Sequence, residues 1–251
     1  MRSATDIQKN LVDHVVGEKP SMLKKPVTYV LQGNGLWEIR KGGLGVSTRH
    51  IAPAKVAGLP TTMREERFDM SVPKISARLL GTAVSFFRYV MDEHAAEAML
   101  QMVYDRKERR HRLVCPEQVV TMSSVRFTKV PIDYGAQVSV GEIHSHCDMN
   151  AAFSSVDDAD ELADAFYVVV GGLRKNLFPE VSVRLRIAGM DLSDDWRNLF
   201  DRGPIDLGAT FPEEWKGSVK PGKVRRWARA FLDEDTRDLF EMGYRDRNWG
   251  L

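Results

Sequence analysis

Two histidines and a carboxylate, His144, His146 and Asp157, stand at a spacing that suits a catalytic metal ion. Side chains alternate between the faces of an extended strand, so His144 and His146 point the same way and can converge on one ion. Asp157 adds a hard third ligand after a loop. Three protein ligands leave the fourth tetrahedral position open to water, the feature that separates a hydrolytic zinc site from a closed structural one. Each part also has a plainer reading. A His-x-His pair on a strand is commonly a surface or hydrogen-bonded pair. Ser154-Ser-Val-Asp157 is a capping box, a Ser followed three residues on by an acid, ahead of an apolar-periodic stretch with Val156, Ala159, Leu162 and Phe166. The two readings are compatible: a cap at Ser154 holds Asp157 in the first turn of a helix, from which its carboxylate can turn toward the histidines.

The composite is more specific than its parts. His144-Ser145-His146, seven further residues, Ser154, two more and then Asp157 resemble the JAMM motif of the MPN-domain zinc metalloproteases, which cleave isopeptide or peptide bonds after ubiquitin and ubiquitin-like proteins. The resemblance covers roughly residues 71 to 195. It implies one zinc ion per chain held by His144, His146 and Asp157, and an α/β fold, the MPN (JAMM) domain, in which helices flank a mixed β-sheet. It also implies a catalytic glutamate near the end of the domain's first helix. Glu97 has that place, ending a helix-like pattern and opening the apolar run Ala98 to Tyr104. Glu97 would take the proton of a zinc-activated water and hand it to the departing amine. Ser154 would donate a hydrogen bond to the oxyanion of the tetrahedral intermediate.

Glu142 is a rival for a role at the site, lying on the strand face of His144 with a Cα offset of roughly 6.5–7 Å. It reads either as an acceptor that orients a ligand histidine or as an exposed strand glutamate. The motif departs from the family at one point. Many members have proline directly after the second histidine, and here Cys147 stands there, followed by Asp148. A thiolate beside the metal is a candidate extra ligand; the duller reading is a loop cysteine turned away from the ion. The run from Phe153 to Glu161, together with the N-terminal extension, resembles a bacterial branch of the family, that of PRTRC system protein A and its relatives, whose gene clusters also encode ubiquitin-like and E1-like proteins. The partners this implies are a ubiquitin-like protein or its conjugate as substrate, with E1-like and E2-like proteins of the same operon.

The elements that must carry these residues are partly visible. Residues 1–25 read as polar and frayed. Short β-prone runs from Val27, broken at Gly33-Asn-Gly35 and Gly42-Gly43, then predict a small meander within an N-terminal extension spanning 1–70. Three such strands are too few to stand alone. The catalytic unit is placed at 71–200. Ser71-Val-Pro73 looks like a helix start, and Ile75, Leu79, Ala83, Phe86, Phe87, Val90 and Met91 recur at helical spacing toward Glu97. Strands are expected at 98–104, 112–115, 118–127 and 136–144, with a helix from Ser154 and a buried strand at Tyr167-Val-Val-Val. Val181 to Ile187 alternates, apolar inward and arginine outward. A C-terminal extension, 201–251, is expected to be helical, with a basic segment around Val224 to Leu232 and an acidic one around Asp233 to Met242. Arg225, Arg226 and Arg229 read as a solvated helix face packed on the domain in preference to a contact with a partner or RNA.

Composition narrows the classes. Thirty-six basic against 35 acidic residues leave a formal charge of +1, so no global field marks the chain for nucleic acid or an acidic membrane surface. Two cysteines, Cys115 and Cys147, make no disulfide framework, which points to a cytoplasmic protein. No stretch has the apolar length of a membrane span or a signal peptide core. The function expected is that of a zinc-dependent isopeptidase or peptidase. A non-enzymatic MPN scaffold, or a zinc peptidase trimming a sulfur-carrier precursor or other tail, is the alternative.

Overall fold

The structure, a computed structural model, describes residues 11–161, 163–187, 190–194 and 196–222. Its strands form sheets of five, six and three members. In the first, β1 (Val12–Val16), β2 (Val27–Gln32), β3 (Gly35–Lys41), β4 (Gly45–Pro53) and β5 (Arg67–Met70) follow in chain order, β1 parallel to β2 and the rest antiparallel. The expected meander is the middle of this sheet. β1 comes from the stretch that reads as polar, because Asp13 and His14 interrupt its valines and its partner is distant in sequence. Val30, Trp37, Ile39 and Met63 form the sheet's own small buried cluster.

The helix α1 (Ala77–His94) leads into the second sheet. It begins later than Ser71 because Ile75 is held in an extended bridge to Phe200. Asp201 then accepts the N–H of Ala77 at 2.9 Å. Ala95 ends the helix in the left-handed conformation, its N–H bonded to the Met91 carbonyl, and turns the chain toward β6 (Met99–Asp105). The sheet continues with β7 (Arg110–Val114), β10 (Gln137–Ser145), β11 (Ala165–Gly171), β12 (Glu180–Ile187) and β13 (Met190–Asp194), in the order β13-β12-β11-β10-β6-β7. Only the β10–β11 pair is parallel. β8 (Gln118–Thr121) and β9 (Ser124–Phe127) form a hairpin where the sequence suggests one strand, and β14 (Val219–Pro221) joins β8 to complete the third sheet.

The two faces of the six-stranded sheet differ in chemistry. Leu80, Val84, Phe87 and Val90 of α1 share one core with Leu100 and Met102 of β6, Val140 and Ile143 of β10, Val168 and Val170 of β11, and Val183 and Leu185 of β12. On the other face the register aligns Gln101, Glu142, Tyr167 and Arg184 in one row, and Met99, His144 and Val169 in the next. Residues directly opposite in register share a face, so the helix side is apolar and the far side carries the polar groups.

The crossover from β10 to β11 holds α2 (Ser155–Asp160), a helix of only six residues. Phe166, which the apolar spacing assigns to this helix, lies instead in β11, whose residues are all buried. Arginine does not simply point outward on β12 either: Arg184 is buried. Beyond α3 (Trp196–Leu199), Trp215 rests edge-on against Phe86 at 5.2 Å and enters the main core with Val219. The segments 224–232 and 233–242 lie outside the described residues. Among those described, no helix is long and apolar enough to cross a membrane.

Candidate metal centre

The phase of β10 decides which side chains reach the centre. Its register with β6 shifts between Ser139 and Gly141, after which 142 and 144 share the polar face. Gly141 is needed there, since a Cβ would strike the carbonyl oxygen of Phe166 on the parallel neighbour β11. At the strand's end His144 and His146 flank the fully buried Ser145.

The two imidazoles converge as the sequence spacing predicts, and Asp157 joins them. The Nε2 atoms of His144 and His146 are 3.1 Å apart. Asp157 Oδ1 lies 3.2 Å from His144 Nε2, and Oδ2 lies 3.6 Å from His146 Nε2. A zinc ion bonded to nitrogen and oxygen at 2.0–2.1 Å in a tetrahedron has ligand–ligand edges of roughly 3.3 Å. The triangle matches one face of that tetrahedron. With side chains 16, 9 and 13% exposed for His144, His146 and Asp157, the group is screened yet reachable. The donor set, two imidazoles and a carboxylate, is one zinc accepts, and the fit is geometric as well as chemical.

Asp157 is held by the expected capping box. Ser154 Oγ accepts the Asp157 N–H at 3.3 Å, and Asp157 Oδ2 accepts the Ser154 N–H at 2.6 Å. Burial alone would raise the Asp157 carboxyl; hydrogen bonds from His144 and His146 outweigh it and hold the group well below the usual carboxylate range. For His146 burial acts downward, but the Asp157 hydrogen bond and the charge of Glu97 prevail and raise it. Its ring also bonds the backbone of Asn150, the kind of contact that fixes a ligand's tautomer.

Glu97 reaches the centre through the β6–β10 ladder. Met99 pairs with His144, so continuing the register by two residues brings Glu97 opposite His146. The ladder does continue: Ser145 N–H donates to the Ala98 carbonyl, and Ser145 Oγ accepts the Ala98 N–H, both at 3.0 Å. On the other edge the Gln118 side-chain amide bonds both N–H and C=O of Met99 at 3.0 Å, and the Glu97 N–H donates to Thr121 at 2.9 Å. The Glu97 side chain is buried. Burial pushes its carboxyl up to about 8, with Asp157 adding to the rise and His146 opposing it. Ser145 and Gln118 are the positioning residues that sequence reading misses. A small hydroxyl between two candidate ligand histidines was a usable signal for the first; Gln118 offered none.

The remaining candidates lie outside the converging group of three. Glu142 is ion-paired with Lys129 at 2.7 Å, not bonded to a histidine. Cys147 has φ +48° and its side chain packs against the core. Burial pushes its thiol up to about 12, which disfavours the thiolate, and it is outside the converging group. That backbone conformation is one proline cannot adopt, which accounts physically for a different residue after the second histidine. Ser154 is exposed, and because its lone pair serves the cap, its O–H proton is free to be given elsewhere.

No family model matches the chain, and no curated protein matches it. Among solved structures the chain is similar to a JAB1/MPN domain protein from Archaeoglobus fulgidus, at 18% identity and a TM-score of 0.29, over 49% of this chain and 94% of that one.

Proposed function

We propose that this chain is a JAMM-type zinc metalloprotease with an MPN catalytic unit at 71–200, acting in the cytoplasm on the bond after the C-terminus of a bacterial ubiquitin-like protein. The observation that carries the reading is the His144–His146–Asp157 triangle, with edges of 3.1, 3.2 and 3.6 Å, facing a buried glutamate brought in by a neighbouring strand. Zinc bound there would supply Lewis acidity to a carbonyl and to a water molecule.

The chain's own residues do the rest. Glu97, fixed across the ladder from His146, takes the water's proton and passes it to the leaving amine: burial raises its carboxyl to about 8 in the metal-free chain, which favours carrying a proton, and a bound cation would draw it back toward the ionised form that accepts one. Ser154 turns its free O–H to the oxyanion. The Asp157 carboxylate stays ionised and oriented by the cap. Deconjugation and precursor processing are the same bond cleavage on different tails, and E1-like and E2-like proteins of the same operon are the expected partners. The PRTRC-type branch is the proposed placement within the family.

Elemental analysis and a cleavage assay test this together. The purified chain should hold about one zinc, lost in His144→Ala and in His146→Ala, since each removes one of the few protein ligands. A ubiquitin-like protein fused through its last residue to a reporter should be cut at the junction, and a chelator should stop it. Zinc content unchanged in both variants would overturn the site. A zinc-loaded chain that cuts neither the fusion nor an unfolded peptide would leave an assembly module in place of an enzyme.

A further inference from the structure

The ligand Asp157 rides on a helix of six residues, too short to persist by its own hydrogen bonds. Two arginines of β12, from the strand whose alternation suggested exposed charges, reach up to this helix. Arg184 Nη1 donates to Asp158 Oδ1 at 2.6 Å, and its Nη2 donates to the carboxylate of the buried Glu161, the residue that ends α2. The same guanidinium lies 4.1 Å from the centre of the Phe153 ring, one residue before the cap at Ser154. Arg186 donates to the backbone carbonyl of Asp158 at 3.0 Å and to that of Glu161, while pairing with Asp191 at 2.6 Å. Both ends of the turn that carries Asp157 are therefore tied to one strand of the sheet that carries the histidines.

We propose that Arg184, assisted by Arg186, is a positioning residue for the metal centre: it locks α2 onto the sheet and thereby sets the place of the Asp157 carboxylate relative to His144 and His146. The inference rests on the zinc reading above. A planar, bidentate guanidinium suits the task, because it bonds two carboxylates in fixed directions while its face packs on an aromatic ring; the point charge of lysine offers neither. The Gln101–Glu142–Tyr167–Arg184 row gives it a rigid base.

Zinc affinity measured by competition with a chromogenic chelator decides it, alongside hydrogen exchange on the metal-free protein. Arg184→Met should weaken zinc binding by ~10–100-fold, the range for residues that orient a metal's ligands. Arg184→Lys should rescue little of this loss. In the metal-free chain the amides of Asp158 and Glu161, which close the turns of α2 onto Ser154 and Asp157, should exchange faster while those of β11 do not change. Because Arg184→Met strands the buried Glu161 carboxylate, Arg184→Met/Glu161→Gln removes both charges and keeps the test valid if the single variant folds poorly. A merely structural role is separated by a cycle read with a low-affinity chelator, because Asp157→Ala leaves the two histidines as a weak residual site: on that background, adding Arg184→Met should cost no further zinc affinity. Wild-type affinity in Arg184→Met, or an equal further loss on the Asp157→Ala background, overturns the positioning role and leaves the zinc site standing. A wild-type chain that binds no zinc overturns both.

Discussion

In the proposed reaction Glu97 and Ser154 would act from different sides, and their variants should separate cleanly. Glu97→Gln keeps the size and hydrogen bonding of the side chain but cannot accept a proton. Zinc should stay at the wild-type level and turnover should fall by ~10²–10⁴-fold, the usual worth of a positioned acid–base group. Ser154 accepts the Asp157 N–H, and in the proposed reaction its hydroxyl would also offer a proton outward. Ser154→Ala removes both, slowing the reaction by ~10²-fold through the lost oxyanion donor and loosening the cap by about 1 kcal/mol. Ser154→Thr retains both groups and should recover most of the rate. Titrating zinc into each variant beside the rate measurement distinguishes the losses. If Ser154→Thr were as slow as Ser154→Ala while binding zinc normally, the hydroxyl would not be the donor.

At the scale of elements, the sequence shows what is local and hides what is paired at a distance. Alternation puts His144 and His146 on one face, and the capping box places Asp157, because both depend on residues a few positions apart. That Glu97 faces His146 follows from the β6–β10 register, which no local pattern encodes. The same holds for Gln118, whose side chain substitutes for a strand edge beside Met99. Apolar spacing overruns α2 because Phe166 fits a helical and a strand period equally in so short a stretch; burial on both faces of β11 decides for the strand. Alternation on β12 gives the face of Arg184 correctly, yet the covering helix turns that face from solvent into an ion-pair network. The register at Gly141 offers a test at this scale. Gly141→Ala forces β10 away from the Phe166 carbonyl, so both the parallel pairing and the convergence of the histidines should suffer. Expected are a lower melting temperature and zinc binding weakened more than in a control, Ser139→Ala, on the exposed side of the bulge. Wild-type zinc affinity in Gly141→Ala would show that the close approach does not set the ligand geometry.

At the scale of the whole molecule, among the described residues, the five-stranded sheet shares packing with the sheet that carries His144. Among the described residues its own buried cluster is Val30, Trp37, Ile39 and Met63, small for a separate fold. Leu44, from the turn between β3 and β4, is instead buried in the main core, with Phe68 and Met70 of β5 packed against it. Phe68 meets Phe166 of β11 edge-on at 6.0 Å. If this contact makes the sheets one cooperative unit, a ligand that binds only the native centre stabilises both. Free zinc at a thousandfold above its dissociation constant contributes about 4.1 kcal/mol to the native state. That gain should appear as slower hydrogen exchange in β3 as much as in β11, although neither strand holds a candidate ligand. Phe68→Ala should break the equality: zinc would still protect β11, and the slowing in β3 would shrink. Zinc that slows exchange in β11 of the wild-type chain and leaves β3 unmoved would show two units that unfold independently, with the N-terminal sheet no more than an attached neighbour of the site.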